Sequence, residues 1–314
     1  MRIPEYMSPT SIKLFYDDVE LFYQRYLSDN KPERELQTKP MSIGSAFDAF
    51  VKSYLYEKLF GKNADKRYDL TTIFEAQVDE HNRDWAWENG KLVFDQYKSE
   101  GCLADLMLEL SQAIGPPRFE FDVRGEIEGV PLLGKPDVFF ISKEGARVIY
   151  DWKVNGYCSK SMTSPMKGYI KLRGYNCKWT KKHKDCLIIN HNGIDINISM
   201  FLEEGNDSWA DQLSIYGWLL GEAVGSEQLI VGIDQITGSA NKLRFATHRL
   251  RVSPDYQYGL VNNITNAWDI ILSGWIFREL SEEDSIRRCA ILDSSAPSDS
   301  AFNNLTKESS RFYG

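Results

Sequence analysis

The sequence predicts an α/β fold, a mixed central β-sheet flanked by helices with a helical elaboration at the N-terminus. Three observations carry that expectation. Most of residues 8–114 read as helix, interrupted by few turn residues. From Phe119 to Val154 the pattern changes to short apolar runs and alternations punctuated by Gly-bearing turns, the grammar of strands and hairpins. Beyond residue 186, strand-like and helix-like segments alternate, as in a sheet covered by helices.

In chain order, residues 8–27 (SPTSIKLFYDDVELFYQRYL) predict an aromatic-rich helix capped by Ser8 or Thr10. Pro40 precedes a second helix, MSIGSAFDAFVKSYLYEKLF. Residues 70–114 predict helix with breaks near Gly90 and Gly101, stopped by Pro116-Pro117. LIINHNGIDINISMFL predicts a strand pair joined near Asn192-Gly193. SWADQLSIYGWLLGEAVG predicts an amphipathic helix ending at Gly225, LIVGIDQIT and KLRFATHRLRV two strands, and residues 255–290 helix. No internal repeat is visible, so a single domain over 1–293 is expected. It divides into a mainly helical part (1–115), a core (116–252) and a C-terminal helical part (253–293). The small, polar residues 294–314 are expected to be poorly ordered.

The 314 residues are 42% hydrophobic and 26% charged, an ordinary globular balance. No apolar run approaches the roughly 20 residues of a membrane span. Met1-Arg2-Ile3-Pro4-Glu5-Tyr6 contains no apolar stretch of a secretory signal. Five cysteines (102, 158, 177, 186, 289) are widely spread with no Cys-x-x-Cys, which favours reduced thiols and a cytoplasmic location. Cys177, His183, Cys186 and His191 match no standard zinc spacing. The net charge of −8 opposes phosphate binding unless positive charge is locally concentrated.

Residues 134–153 carry the candidate chemistry. Val138-Phe139-Phe140-Ile141 and Val148-Ile149-Tyr150 flank a turn, and a turn centred on Glu144 pairs Asp137 with Asp151. Directly opposed residues have Cβ atoms roughly 4.5–5.5 Å apart, so the two carboxylates repel unless a cation lies between them. The two-residue period of a strand puts Lys153 on the face of Asp151 and leaves Val148, Tyr150 and Trp152 to pack on the other. Two close acids and a lysine suit metal-assisted phosphodiester hydrolysis, with Mg²⁺ or Mn²⁺ held by oxygen ligands and Lys153 orienting the attacking water. A D/E-x-K tripeptide alone arises by chance on the order of twice in such a chain; Asp29-Asn30-Lys31 is one such match. Two solvated acids beside a turn are the alternative.

With these residues in place, the chain resembles the RecB-type and phage-exonuclease branch of the PD-(D/E)XK nucleases, over most of residues 8–225. Gly134-Lys135-Pro136-Asp137 is similar to its Gly-x-x-Asp strand motif, Asp151-Trp152-Lys153 to its Asp-x-Lys motif, and Gln212-Leu213-Ser214-Ile215-Tyr216 to its Gln-x-x-x-Tyr helix. The resemblance implies a restriction-endonuclease-like core with the site at the sheet edge, and the Trp152 carbonyl as a further metal ligand. It also implies that Gln212 and Tyr216, four apart on one helical face, contact DNA or support the site. Gly44-Ser45-Ala46-Phe47-Asp48 resembles the Gly-x-x-x-His helix of these enzymes, with Asp48 in the histidine's place. Asp48 is therefore expected to ligate the metal, or alternatively to pair with Lys52 one turn on. Asp18-Val19 stands where cluster-bearing relatives have Cys-Pro, and only Cys289 lies near the end, so no iron–sulfur cluster is expected.

Between Ser159 and Lys184 lie eight basic residues and no acid: Lys160, Lys167, Lys171, Arg173, Lys178, Lys181, Lys182 and Lys184. Tyr169, Tyr175 and Trp179 are interleaved. Basic side chains can follow phosphates while aromatics stack on bases, so this segment, Trp179 included, is the expected DNA-binding element. A solvated loop balancing acids elsewhere is the alternative. The expected function is metal-dependent DNA hydrolysis. By resemblance it is an exonuclease of recombination, repair or phage DNA processing, with an endonuclease or a non-cleaving DNA-binding protein as alternatives. A second copy of the chain or a recombination or replication protein are further partners to consider.

Overall fold

The computed structural model describes residues 1–62, 64–155, 157, 188–191, 194–197, 201–239 and 242–295. The lysine-rich segment and the tail beyond 295 lie outside them. Two compact units are present: Met1–Glu5, Ser11–Glu33 and Asn266–Gly314 form one, and Tyr6–Thr10 with Arg34–Thr265 the other.

Helix α1 (Pro9–Asp17) begins directly after Ser8, but the helix expected to run to residue 27 is interrupted. Asp18 is extended, and its side chain accepts from Leu21 N at 2.9 Å, which caps a new short helix, α2 (Val19–Phe22), continued by a π-turn over Tyr23–Leu27. A short polar side chain that captures a backbone N–H competes with the helix in just this way.

In the larger unit, α3 (Lys39–Phe60) starts behind Thr38 with Pro40 in its first turn, where proline's missing N–H costs nothing. Its buried Ile43, Phe47, Phe50, Val51 and Leu55 recur at helical spacing and form one face. Then come α4 (Leu70–Gln77), α5 (Arg83–Ser99) and α6 (Cys102–Ser111). The break expected at Gly90 is absent. A Cβ there would lie 2.6 Å from the Ala46 Cβ, so Gly90 permits the close approach of α5 to α3 within an unbroken helix. Gly101, at φ 93°, does separate α5 from α6.

The strands follow: β1 (Arg118–Phe119), the hairpin β2 (Val123–Ile127) and β3 (Val130–Gly134), then β4 (Val138–Ile141) and β5 (Arg147–Asn155). β6 (Ile188–His191) and β7 (Ile194–Asn197) form the expected antiparallel pair. After α7 (Asp207–Leu219) come β8 (Ile230–Ser239), β9 (Lys242–Leu250) and α8 (Pro254–Ser273). α7 ends at Leu219, with Gly221 at φ 95°, rather than at Gly225. The helix expected over 255–290 is divided by Gly274 (φ 67°) into α8 and α9 (Arg278–Ser295).

Among the described residues seven strands form one mixed sheet in the order β1-β4-β5-β8-β9-β7-β6, with β5–β8 and β7–β9 parallel and the rest antiparallel. Helices cover both faces. Val148, Tyr150 and Trp152 pack with residues of α3, α5 and α6, while Ile149, Val231 and Ile233 pack with Trp209, Leu213 and Tyr216 of α7. Beneath the first face Tyr97 donates to Asp234, the Trp152 indole donates to Tyr97 at 3.3 Å, and Thr247 donates to Asp234 at 2.8 Å. These bonds satisfy polar groups that would otherwise be buried at a cost, and they fix β5 from behind. No helix among the described residues is long and apolar enough to cross a membrane.

Candidate active site

Strand β5 carries the centre because its alternation separates packing from polar residues. With Val148, Tyr150 and Trp152 committed to the α3 face, Asp151 and Lys153 point toward α7, where Lys153 meets Gln212. The β4–β5 ladder pairs Val138 with Tyr150 and Ile141 with Arg147. One step beyond it, Asp137 stands opposite Asp151, the register a turn centred on Glu144 gives. Trp152 N reaches Asp137 Oδ2 at 3.4 Å.

On the α7 side, Lys153 Nζ lies 2.5 Å from Asp151 Oδ2 and donates to Gln212 Oε1 at 3.0 Å. Gln212 Nε2 in turn donates to the Tyr216 hydroxyl at 3.1 Å. The four-residue spacing in α7 thus builds one chain of bonds ending on the lysine. Gly134 has a steric reason to be glycine: a Cβ there would lie 2.6 Å from Tyr216 Cδ1, so the ring rests directly on the strand.

On the α3 side the centre contains residues that the sequence did not single out for it. Lys52, only 1% exposed, lies 2.7 Å from Asp48 Oδ2, 3.0 Å from Asp137 Oδ1 and 3.2 Å from Glu120 Oε2. Gln77 Nε2 donates to Asp48 (3.0 Å) and Glu120 (2.7 Å), and Lys135 pairs with Glu120 at 2.6 Å. Glu120 is brought here by its N–H, which donates to the Asp137 carbonyl at 3.0 Å. Of the two readings of Asp48, the pair with Lys52 is formed; Asp48 Oδ1 is buried with no hydrogen-bond partner among the described residues. A lysine one turn from Asp48 was the signal for Lys52. Gln77 carried none.

The electrostatics follow from crowding four acids out of water. Burial raises Asp151 to about 7, Lys153 offsetting part of that and Asp137 adding to it. Burial likewise raises Asp48 to about 7 against the pull of Lys52. Burial opposes ionisation of Asp137 too, but Lys52, the bond from Asp151 and Lys153 together hold it below the usual carboxylate range. Lys52 is raised, since Asp137, Asp48 and Glu120 outweigh its burial. With Asp48 and Asp151 raised to about 7, the four acids are not all ionised at neutral pH, and they face three ammonium groups, those of Lys52, Lys135 and Lys153.

Among the described residues no three His, Cys, Asp or Glu side chains converge as a ready ligand set for a metal. Asp137 and Asp151 nevertheless fit one magnesium-like ion, which commonly takes only one or two carboxylates and completes its shell with waters and substrate phosphates. When both are ionised, the mutual repulsion of the pair favours a cation there. Lys160, Lys167, Lys171, Arg173, Lys178, Trp179, Lys181, Lys182 and Lys184 lie outside the described residues.

No family model and no curated protein matches the chain. Among solved structures, a protein of Eubacterium rectale named as a candidate exonuclease aligns over 86% of this chain and 82% of its own, at 14% identity and a TM-score of 0.46. A protein named SSO0001 aligns over 74% and 77%, at 8% identity and a TM-score of 0.26. Neither likeness speaks to chemistry, which rests on the site's own geometry.

Proposed function

We propose that the chain is a divalent-metal-dependent deoxyribonuclease, an exonuclease of the PD-(D/E)XK type. The observation that carries the reading is the opposition of Asp137 and Asp151 beside a lysine held by both Asp151 and Gln212. Asp137, Asp151 and the Trp152 carbonyl would hold Mg²⁺ or Mn²⁺. Such an ion lowers the pKa of a bound water and offsets charge on the scissile phosphate. An ammonium group has three donors. Asp151 and Gln212 engage Lys153, so a further N–H can hold the attacking water and offset the charge that builds on the phosphate. Gln212 and Tyr216 keep the lysine on that side of the strand. The lysine-rich segment follows β5 directly in sequence and would supply the phosphate contacts that an otherwise acidic protein lacks.

A non-cleaving DNA-binding protein has one observation in its favour: Lys52 already neutralises part of the carboxylate cluster. One assay separates the readings. End-labelled linear DNA and closed-circular DNA are each incubated with Mg²⁺, Mn²⁺ or EDTA. The proposal expects metal-dependent loss of the linear substrate and survival of the circle. Cutting of the circle would make it an endonuclease, and binding without cutting in any metal would favour the non-cleaving reading.

A further inference from the structure

Three carboxylates converge on a single buried ammonium beside the proposed metal seat. Lys52 Nζ meets Asp48, Asp137 and Glu120 at 2.7–3.2 Å, so each of its three donors has an acidic partner. These are hydrogen-bond lengths, whereas Mg²⁺ holds oxygens at about 2.0–2.1 Å. The three acids therefore stand at ammonium distance from this point. At 1% exposure Lys52 lies beneath the carboxylates and is closed off from any substrate. Asp137 divides its two oxygens accordingly: Oδ1 faces Lys52 and Oδ2 faces β5, where Trp152 N and Asp151 stand.

We propose that Lys52 is a positioning residue that serves as a built-in cation, filling the place a second metal ion would take. It locks Asp137 so that only the Asp137–Asp151 side receives an ion. The proposal rests on the metal reading above and adds that the centre takes one ion, with Asp48 and Glu120 as partners of Lys52 rather than ligands. Gln77 and Lys135, bonded to the same acids, complete the cage around it. Removing Lys52 would leave three acids crowded without their cation, a costly arrangement that a second divalent ion can relieve.

The test counts Mn²⁺ bound per chain, by calorimetry and by electron paramagnetic resonance, on the full chain. The wild type should bind one ion, Lys52→Met two, and Lys52→Arg one. Thermal unfolding in EDTA should show Lys52→Met weakened and restored more strongly by Mn²⁺ than the wild type. If Lys52→Met fails to fold, the double variant Asp48→Asn/Glu120→Gln decides. It should keep the single ion, because neither acid ligates it. Two ions on the wild type, one ion on a folded Lys52→Met, or loss of the ion in the double variant would each overturn the proposal. Asp151→Asn should abolish binding. If it does not, or if the wild type binds no Mn²⁺, the metal reading itself has failed and the proposal falls with it.

Discussion

Gln212 accepts a hydrogen bond from Lys153 at 3.0 Å while donating to Tyr216, so one helix residue fixes the position of the strand lysine. Lys153 therefore has little freedom, and its partner's removal is testable apart from its own. Lys153→Ala should abolish DNA cleavage. Gln212→Ala should leave the ammonium in place but loosely held, lowering kcat by about 10–100-fold, the usual effect of losing a supporting bond. Single-turnover cleavage rates check both. A Gln212→Ala variant with normal kcat would remove it from the machinery.

The raised proton affinity of Asp151 sets a pH dependence of stability. An acid that titrates near 4 unfolded and at about 7 folded binds more protons in the native state between those values. Without metal, its contribution to stability therefore declines as pH rises through that interval. Thermal unfolding in EDTA should show this decline, and Asp151→Asn should reduce it to the part that the likewise raised Asp48 contributes. Mn²⁺ competes with protons for the same oxygens, so it should raise Tm more at pH 8 than at pH 5. An equal gain at both would place the ion elsewhere.

Gly134 is required by the ring of Tyr216. Gly134→Ala puts a Cβ where Tyr216 Cδ1 stands 2.6 Å away, against backbone that is part of β3. Overpacking of this kind costs typically 1–3 kcal/mol. Denaturant unfolding should show a decrease of about that size, and cleavage should fall as Tyr216 and then Gln212 are displaced. In a Tyr216→Ala background Gly134→Ala should cost less, because the ring that the methyl group meets is gone.

Much of this centre was legible because a hairpin's register is local. The turn at Glu144 determines that Asp137 faces Asp151, and the period of a strand places Lys153 beside Asp151, with no knowledge of distant partners required. The four-residue step from Gln212 to Tyr216 was equally local. Lys52, Gln77 and Glu120 meet only because α3, the end of α4 and the residue after β1 come together in three dimensions, and no sequence spacing encodes that. Gly90 looks like a helix break in the sequence for the same reason: its role is a close approach to Ala46 on another helix, not a break in its own. Asp18 is a good cap by residue type, but it sits inside a longer helical pattern that hides it.

The lysine-rich segment has a signature in salt dependence. Changing Lys178, Lys181, Lys182 and Lys184 to Ala should weaken DNA binding and reduce the log–log salt slope by roughly 0.7–0.9 for each phosphate no longer neutralised. Trp179→Ala should instead weaken single-stranded binding by about 1–3 kcal/mol with little change in slope, if a base stacks there. Fluorescence anisotropy over a salt series measures both. An unchanged slope in the quadruple variant would mean the segment is a solvated loop or a surface for a protein partner.

Asp137 and Asp151 are proposed to seat one metal ion that drives DNA hydrolysis together with Lys153. Single-turnover cleavage of end-labelled DNA in Mn²⁺, comparing the wild type with a folded Asp151→Asn variant, decides whether they do. The wild type should cleave, EDTA should stop it, and Asp151→Asn should not cleave at all. Wild-type cleavage that persists in EDTA, or an Asp151→Asn variant that cuts at the wild-type rate, would rule out a metal centre at these two acids.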